Sequence, residues 1–455
     1  MNGTILSRVE DLQRWAFVEI GASPDVVAAN QEKLLGKRRP DPWNLQGWDA
    51  DPELLEDAEY PEQLQAVIRR FRTTRYQDPV ILGSLARYED DIVNRLESML
   101  GCEGIRRNKP LLATIPLATL NAFAIKSGSS CAIILQDGLR FIPTILSASI
   151  DEVLLQETPK GVAINFDAAE LKMRLRQTPI GLRLVGNIIR DTCNPGLPSL
   201  TKDIYDIISR TETIWEAHRR IERGFKYFLL AHEYAHCAAD HFDLIDTHNK
   251  SNTLMRDPAL VSATLRHLQT YYPELPPPNK DNIFSFTIIH ALELDADARA
   301  FEALVRRLIE EDPSMGGHAT LELFGALLFF WYLEFLERIH RTFIHGDKWN
   351  YDNIYSTDNL HGLFVQDLLY RPTHPAPFER MTWAVLHVIN TFPAHRKLRE
   401  ILDSIGLFQY QLFEYTWKQH ANFIFKYINE ECSHIDQKWI NKIPSVGLSI
   451  GLKQI

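Results

Sequence analysis

The stretch LLAHEYAHCAADHF, residues 229–242, decides how the rest of this 455-residue chain is interpreted. Within it, His232, Glu233 and His236 form an HExxH pattern. Positions i and i+4 of an α-helix lie on the same face, so the two histidines can direct their imidazoles at one ion. Glu233 lies about 100° further round the helix, beside the ion, where it can act as a general base. The competing interpretation is an ordinary helix with two partly exposed histidines.

The composition is that of an ordinary globular chain and argues against several classes of protein. It is 45% hydrophobic and 24% charged, with a net charge of −10. No block of Lys and Arg stands out, so no nucleic-acid partner is expected. There is no signal-peptide pattern, and the five cysteines are widely scattered, which predicts free thiols and a cytoplasmic location. The longest apolar run, 323–333, is too short to span a bilayer, which predicts a buried helix and no transmembrane segment.

The pattern of apolar residues predicts a mostly helical α+β fold. Residues 1–110 have apolar residues at helical spacing and are interpreted as a helical N-terminal region. Residues 111–142 alternate short apolar runs around a Ser/Gly turn at 127–130, which predicts a strand, a turn and a strand. Residues 396–455 are interpreted as a C-terminal helical region. Further helices are predicted at 216–242, 284–311, 319–340 and 373–389.

A metal site built on the two histidines requires a third ligand, since a catalytic zinc takes three protein ligands and keeps one position open. The metzincin pattern would place a glycine and a histidine where this chain has Ala239 and Phe242. The stretch HALELDADARA, 290–300, instead offers Glu293 and Asp297 on one helical face among apolar neighbours. Glu293 is therefore the predicted third ligand, with a solvated helix face as the alternative. Asp297 is predicted to accept the free ring N–H of a ligand histidine.

HExxH followed by Glu-x-x-Ala-Asp resembles the signature of the gluzincin metallopeptidases. The resemblance is greatest to the branch that contains the CAAX prenyl proteases, the HtpX-type proteases and their soluble relatives. Three features add to it: NAFA at 121–124, a histidine at 241, and THPAPFER at 373–380. HEYAH and NAFA in a chain without membrane helices resemble the Lit-type phage-exclusion peptidases, which cut a host translation factor upon infection. From the residues alone, His241 is interpreted as a cation at the end of the zinc helix.

The resemblance implies a gluzincin-like metallopeptidase core at 111–395, with an insertion at about 140–215. It also implies a small sheet whose edge strand flanks the zinc helix and binds an extended substrate. The substrate-binding residues of that strand would be Asn121, Ala122, Phe123 and Ala124.

The resemblance further nominates His374 as a donor to the developing oxyanion, with Arg380 as its helper. The alternatives from the residues alone are a helix-entry turn at His374-Pro375 and a structural ion pair for Arg380.

The predicted function is a zinc-dependent endopeptidase that cleaves a protein or peptide substrate. Zn²⁺ on His232, His236 and Glu293 would acidify water, and Glu233 would move the proton to the leaving amine. The resemblance adds the expectation of a regulated role in phage defence or stress, acting on a host protein.

An unregulated cytoplasmic protease would be toxic, so an activating peptide or an inhibitory partner is expected. The segments that could mediate this control are 1–105, 140–215 and 396–455. Two alternatives remain open: a catalytically inactive peptidase fold that binds or regulates another protein, and a zinc hydrolase of a non-peptide amide.

Overall fold

A computed structural model describes residues 4–19, 21–34, 74–77, 82, 85–101, 109–116, 122–136, 138–139, 142–143, 146–147, 150, 154–158, 161–164, 212–243, 288–345 and 377–431. These residues are mostly helical and include a small three-stranded sheet, which confirms the predicted α+β class. Of the helices in these ranges, none has both the length and the apolar composition of a membrane span.

The helices are α1 (Ile5–Glu19), α2 (Pro24–Leu34), α3 (Glu89–Leu100), α4 (Glu212–Ala238), α5 (Ile288–Glu311), α6 (Gly317–His345), α7 (Pro377–Thr391) and α8 (Arg396–Glu431). The strands are β1 (Leu111–Ile115), β2 (Ala122–Ser127), β3 (Ser130–Gln136), β4 (Leu155–Thr158) and β5 (Gly161–Ile164).

The three-stranded sheet has the order β1-β3-β2. Strand β1 runs parallel to β3, and β2 runs antiparallel to it, with Ala122 opposite Leu135. The β2–β3 hairpin turns at Gly128, whose φ of 61° suits a residue without a Cβ, so the predicted turn is confirmed. Within the part of the chain that the structure describes, β2 therefore forms one edge of this sheet.

Alternate residues of β3 face two different cores, as the twofold period of a strand requires. Ala132 and Ile134 pack with α1 in a small cluster. Ile133 and Leu135 belong to the large cluster that includes the helices. The sheet is thus covered by α1 on one face and lies against α4 on the other, which brings β2 next to the zinc helix predicted from the sequence.

The main core is built around α4, α5 and α6. Residues 323–332 of α6 are all buried, which confirms the buried helix predicted for the longest apolar run. Helix α3 packs on α4 and α5, and α8 packs on α6 and α7. Helix α3 ends at Gly101, whose φ of 63° suits a residue without a Cβ. Residues 35–73 of the helical N-terminal region predicted at 1–110 lie outside the described residues.

Helices α4 and α6 cross with their backbones in contact, because each has a glycine at the crossing. A Cβ added to Gly224 would lie 1.8 Å from the Glu322 carbonyl oxygen, and one added to Gly325 would lie 1.9 Å from that of Ile221. Neither position can hold any other residue without moving a helix. This close crossing fixes α4, and with it the HExxH residues, against the core.

Candidate metal centre

Two adjacent helices bring three potential ligands together. His232 and His236 lie one turn apart on α4, and Glu293 faces them from α5. The two Nε2 atoms are 3.1 Å apart; that of His232 lies 3.4 Å from Glu293 Oε2, and that of His236 lies 3.4 Å from Glu293 Oε1. Each of the three residues is at most 9% exposed, and together they could hold a metal ion.

The spacing of the two imidazole nitrogens and the carboxylate group is compatible with a tetrahedral ion. With metal–ligand bonds of about 2.0–2.2 Å, two ligands of a tetrahedron lie about 3.3–3.6 Å apart. The two Nε2 atoms, 3.1 Å apart, are close to this edge length, and each lies 3.4 Å from a different oxygen of Glu293, so an ion between the three side chains can contact both nitrogens and the carboxylate group. Two imidazoles and one carboxylate also leave a fourth position for water or substrate.

Asp297 orients the first histidine. Its Oδ1 lies 2.9 Å from His232 Nδ1, close enough for the ring to direct its Nδ1–H to the carboxylate and to keep the Nε2 lone pair for an ion. This is the role predicted for Asp297 from its position four residues after Glu293. The Asp297 side chain is fully buried and is itself held by Arg380, whose Nε and Nη2 donate to its two oxygens at 2.7 and 2.9 Å.

The structure places Arg380 on the carboxylates of the centre. Besides the fork to Asp297, its Nη2 lies 3.4 Å from Glu293 Oε2. These contacts agree with the ion-pair interpretation of Arg380. Its role as a helper of His374 stays a prediction, because His374 lies outside the described residues.

The pKa values of the two histidines are shifted in opposite directions. Burial lowers the pKa of His232, but Asp297 and Glu293 outweigh it and raise that pKa to about 10. Burial holds the pKa of His236 well below its usual value, and the neighbouring imidazoles add to this effect. In the absence of an ion, the proton of this centre therefore resides on His232, where a metal would displace it.

Glu233 lies beside the ligands, with its side chain 5% exposed. Burial raises its pKa to about 7, and the negative charge of Glu293 adds to the shift. His232 and Arg380 act in the opposite direction, as does a hydrogen bond from the backbone N–H of Ala124. A carboxyl group with a pKa near neutrality can accept and return a proton under physiological conditions.

The predicted substrate strand is in contact with this carboxylate. Ala122, Phe123 and Ala124 begin β2, the edge strand, and Ala124 N–H donates to Glu233. Asn121 lies outside the described residues. The structure thus brings the edge strand and the general-base candidate together.

The sequence did not predict a contact between His236, His241 and Asp295: His241 was interpreted as a cation at the end of the helix, and Asp295 was not singled out. His241 Nδ1 lies 2.9 Å from His236 Nδ1, and His241 Nε2 lies 3.1 Å from Asp295 Oδ2. Helix α4 ends at Ala238 and not at 242 as predicted, so His241 does not cap it. Asp295 lies about 200° round α5 from Glu293, a position that gives no hint of a shared site.

No family model matches the chain, and neither curated proteins nor solved structures gave a match. The function of the site therefore has to be inferred from its own geometry.

Proposed function

We propose that the protein is a zinc-dependent endopeptidase that binds its substrate as an extended strand along β2. The proposal rests on one observation above all. The Nε2 atoms of His232 and His236 lie 3.1 Å apart, each is 3.4 Å from a different carboxylate oxygen of Glu293, and the carboxyl group of Glu233 lies beside them.

Zinc is the metal we propose because of the donor set. Calcium and magnesium prefer sites made wholly of oxygen ligands, whereas two imidazoles with one carboxylate suit a borderline ion such as zinc. When bound, zinc supplies a Lewis acid that acidifies water and polarises a carbonyl group.

The chain's own residues would then perform the proton transfers. Glu233 takes a proton from the attacking water and delivers it to the amine that leaves. Its pKa of about 7 serves both steps, because the carboxylate is basic enough to take the proton and the acid can release it. Asp297 and Arg380 keep His232 in the tautomer that offers Nε2 to the ion.

The edge strand supports a peptide over a small molecule as the substrate. An extended peptide can pair with the backbone groups of β2, which has β3 on one side only among the described residues. The hydrogen bond from Ala124 to Glu233 supports this proposal, because it brings β2 beside the proposed proton-transfer group. Main-chain pairing of this kind selects an extended conformation and leaves sequence preference to other contacts.

The test compares the wild-type protein with Glu233→Gln, each loaded with zinc, in a bacterial lysate. N-terminal proteomics should detect new peptide N-termini only in the wild-type sample, because the amide of glutamine cannot accept the proton. A single cut in a translation factor would extend the likeness to the Lit-type peptidases from sequence to substrate.

Two results would contradict the proposal. A wild-type protein that binds no zinc would remove the metal centre. Stoichiometric zinc with identical N-termini in both lysates would favour the inactive, partner-binding alternative.

A further inference from the structure

We infer that His241 and Asp295 form a positioning relay that fixes His236 as a metal ligand. The inference rests on the proposed metal centre and adds two residues to it. His241 contacts His236 on the side opposite the ligand atom, so it acts through His236 and does not touch the ion or the substrate.

The hydrogen bonds of the relay determine the tautomer of each ring. Asp295 can only accept, so His241 donates its Nε2–H to Asp295 Oδ2 across 3.1 Å. The Nδ1 of a neutral His241 ring then carries a lone pair. His236 Nδ1 lies 2.9 Å from it and must be the donor. The Nε2 of His236 is left unprotonated and faces His232 and Glu293.

Burial of the two rings stabilises these tautomers. His241 is 2% exposed and His236 is 9% exposed, so water does not compete for the bond between them. Their rings meet edge to face, with centroids 5.0 Å apart. Asp295 is more exposed and is also held by Arg299, four residues along α5.

The residue before His241 has a left-handed backbone conformation, which turns the chain so that His241 lies against α4. Asp240 has a φ of 53°, a conformation that aspartate adopts more readily than most residues with a side chain. The chain reverses there, and Asp243 N–H donates to the Asp240 carbonyl. Asp243 is in turn paired with Lys126 of β2, which ties the turn to the hairpin.

The relay complements the one already described for the other histidine. His232 is oriented directly by Asp297, and His236 is oriented by Asp295 through one intervening imidazole. The segment ELDAD, residues 293–297 of α5, thus provides the third ligand and both orienting carboxylates. One helix can therefore set the direction of every ligand in the centre.

The test measures zinc affinity by competition with a chelator, and the visible spectrum of the Co²⁺-loaded full chain. His241→Phe keeps a ring in place and removes both nitrogens, and we expect it to weaken zinc binding by about 10–100-fold. Asp295→Asn should weaken it less. His318→Phe, an exposed histidine at the start of α6, is the matched control and should bind as the wild type does.

Three features distinguish a relay from a general structural role. The double variant His241→Phe/Asp295→Asn should bind zinc no more weakly than His241→Phe, because Asp295 acts through His241. The Co²⁺ spectrum should change, while the unfolding temperature of the metal-free protein stays close to that of the wild type. If His241→Phe does not fold, Asp295→Asn and Asp295→Ala carry the same test.

Wild-type zinc affinity in His241→Phe, or additive losses in the double variant, would overturn the relay and leave the metal centre standing. A wild-type chain that takes up no zinc would overturn the centre itself.

Discussion

Replacing Glu233 with glutamine should stabilise the metal-free protein, and the gain should depend on pH. The wild-type carboxyl group has a pKa of about 7 in the folded protein, against 4.5 for an unperturbed glutamate. The difference of about 2.5 in pKa, at about 1.4 kcal/mol per unit of pKa, gives an upper limit of about 3.5 kcal/mol. Glutamine is similar in size and can still accept the hydrogen bond from Ala124, so the change removes mainly the ionisation.

The sign of this stability change depends on whether the folded or the unfolded state of the wild type loses its proton at the lower pH. Below pH 4.5 the carboxyl group is protonated in both states, and it contributes no pH-dependent difference between the two proteins. Between pH 4.5 and 7 the unfolded wild type ionises while the folded state does not, which increasingly favours unfolding. Above pH 7 both states are ionised and the penalty is constant. The stabilisation by glutamine should therefore rise through this window and then level off.

Urea unfolding with a chelator present, at pH values from 4.5 to 8, measures this difference. Glu400→Gln, on the exposed surface of α8, is the control and should show only a small change in the free energy of unfolding. If Glu233→Gln changed the free energy of unfolding by the same amount at pH 5 and pH 8, the buried, ionisable site that we infer for Glu233 would be refuted.

Three further predictions concern the metal and the packing around it. Zinc at a thousand times its Kd should raise the free energy of unfolding by about 4 kcal/mol, and calorimetry with and without a chelator measures this. Gly325→Ala should destabilise the protein by several kcal/mol in urea unfolding, because its Cβ would overlap a backbone carbonyl of α4, whereas Gly406→Ala, in open space on α8, should be neutral or slightly stabilising. Arg380→Met should cost about 3–5 kcal/mol by leaving the buried carboxylate of Asp297 without its fork, and adding Asp297→Asn should recover part of that loss in thermal unfolding.

Much of the fold and part of the site could be predicted because they depend on local periodicity. His232 and His236 are one helical turn apart, as are Glu293 and Asp297, so each pair shares a face whatever the tertiary structure. The apolar run at 323–333 likewise implied burial without knowledge of its neighbours. That α5 would face α4 was predicted from the need for a third ligand and from an acidic residue among apolar neighbours, since periodicity within one helix does not contain that information.

The relay could not be predicted because it depends on a backbone conformation and on a contact between helices. His241 reaches His236 only because Asp240 is left-handed, and the sequence offers no glycine there to signal such a turn. The sequence therefore favoured a longer helix that ended near 242. The partner of Arg380 was uncertain for a similar reason: an arginine on α7 can approach either an oxyanion or a carboxylate of α5, and only packing decides.

The burial of α6 has a consequence for how the chain is made. A helix that is apolar on nearly every face needs neighbours on every side, and one of them, α8, begins 51 residues after α6 ends at His345. At about 5–20 residues per second, a ribosome takes about 3 to 10 s to reach the start of α8. During that interval the face of α6 that α8 will cover is open to other nascent chains and to chaperones. Ribosomes that stall between the two helices should therefore carry a chain with a high affinity for chaperones that bind apolar segments, and release of the remaining residues should end that association.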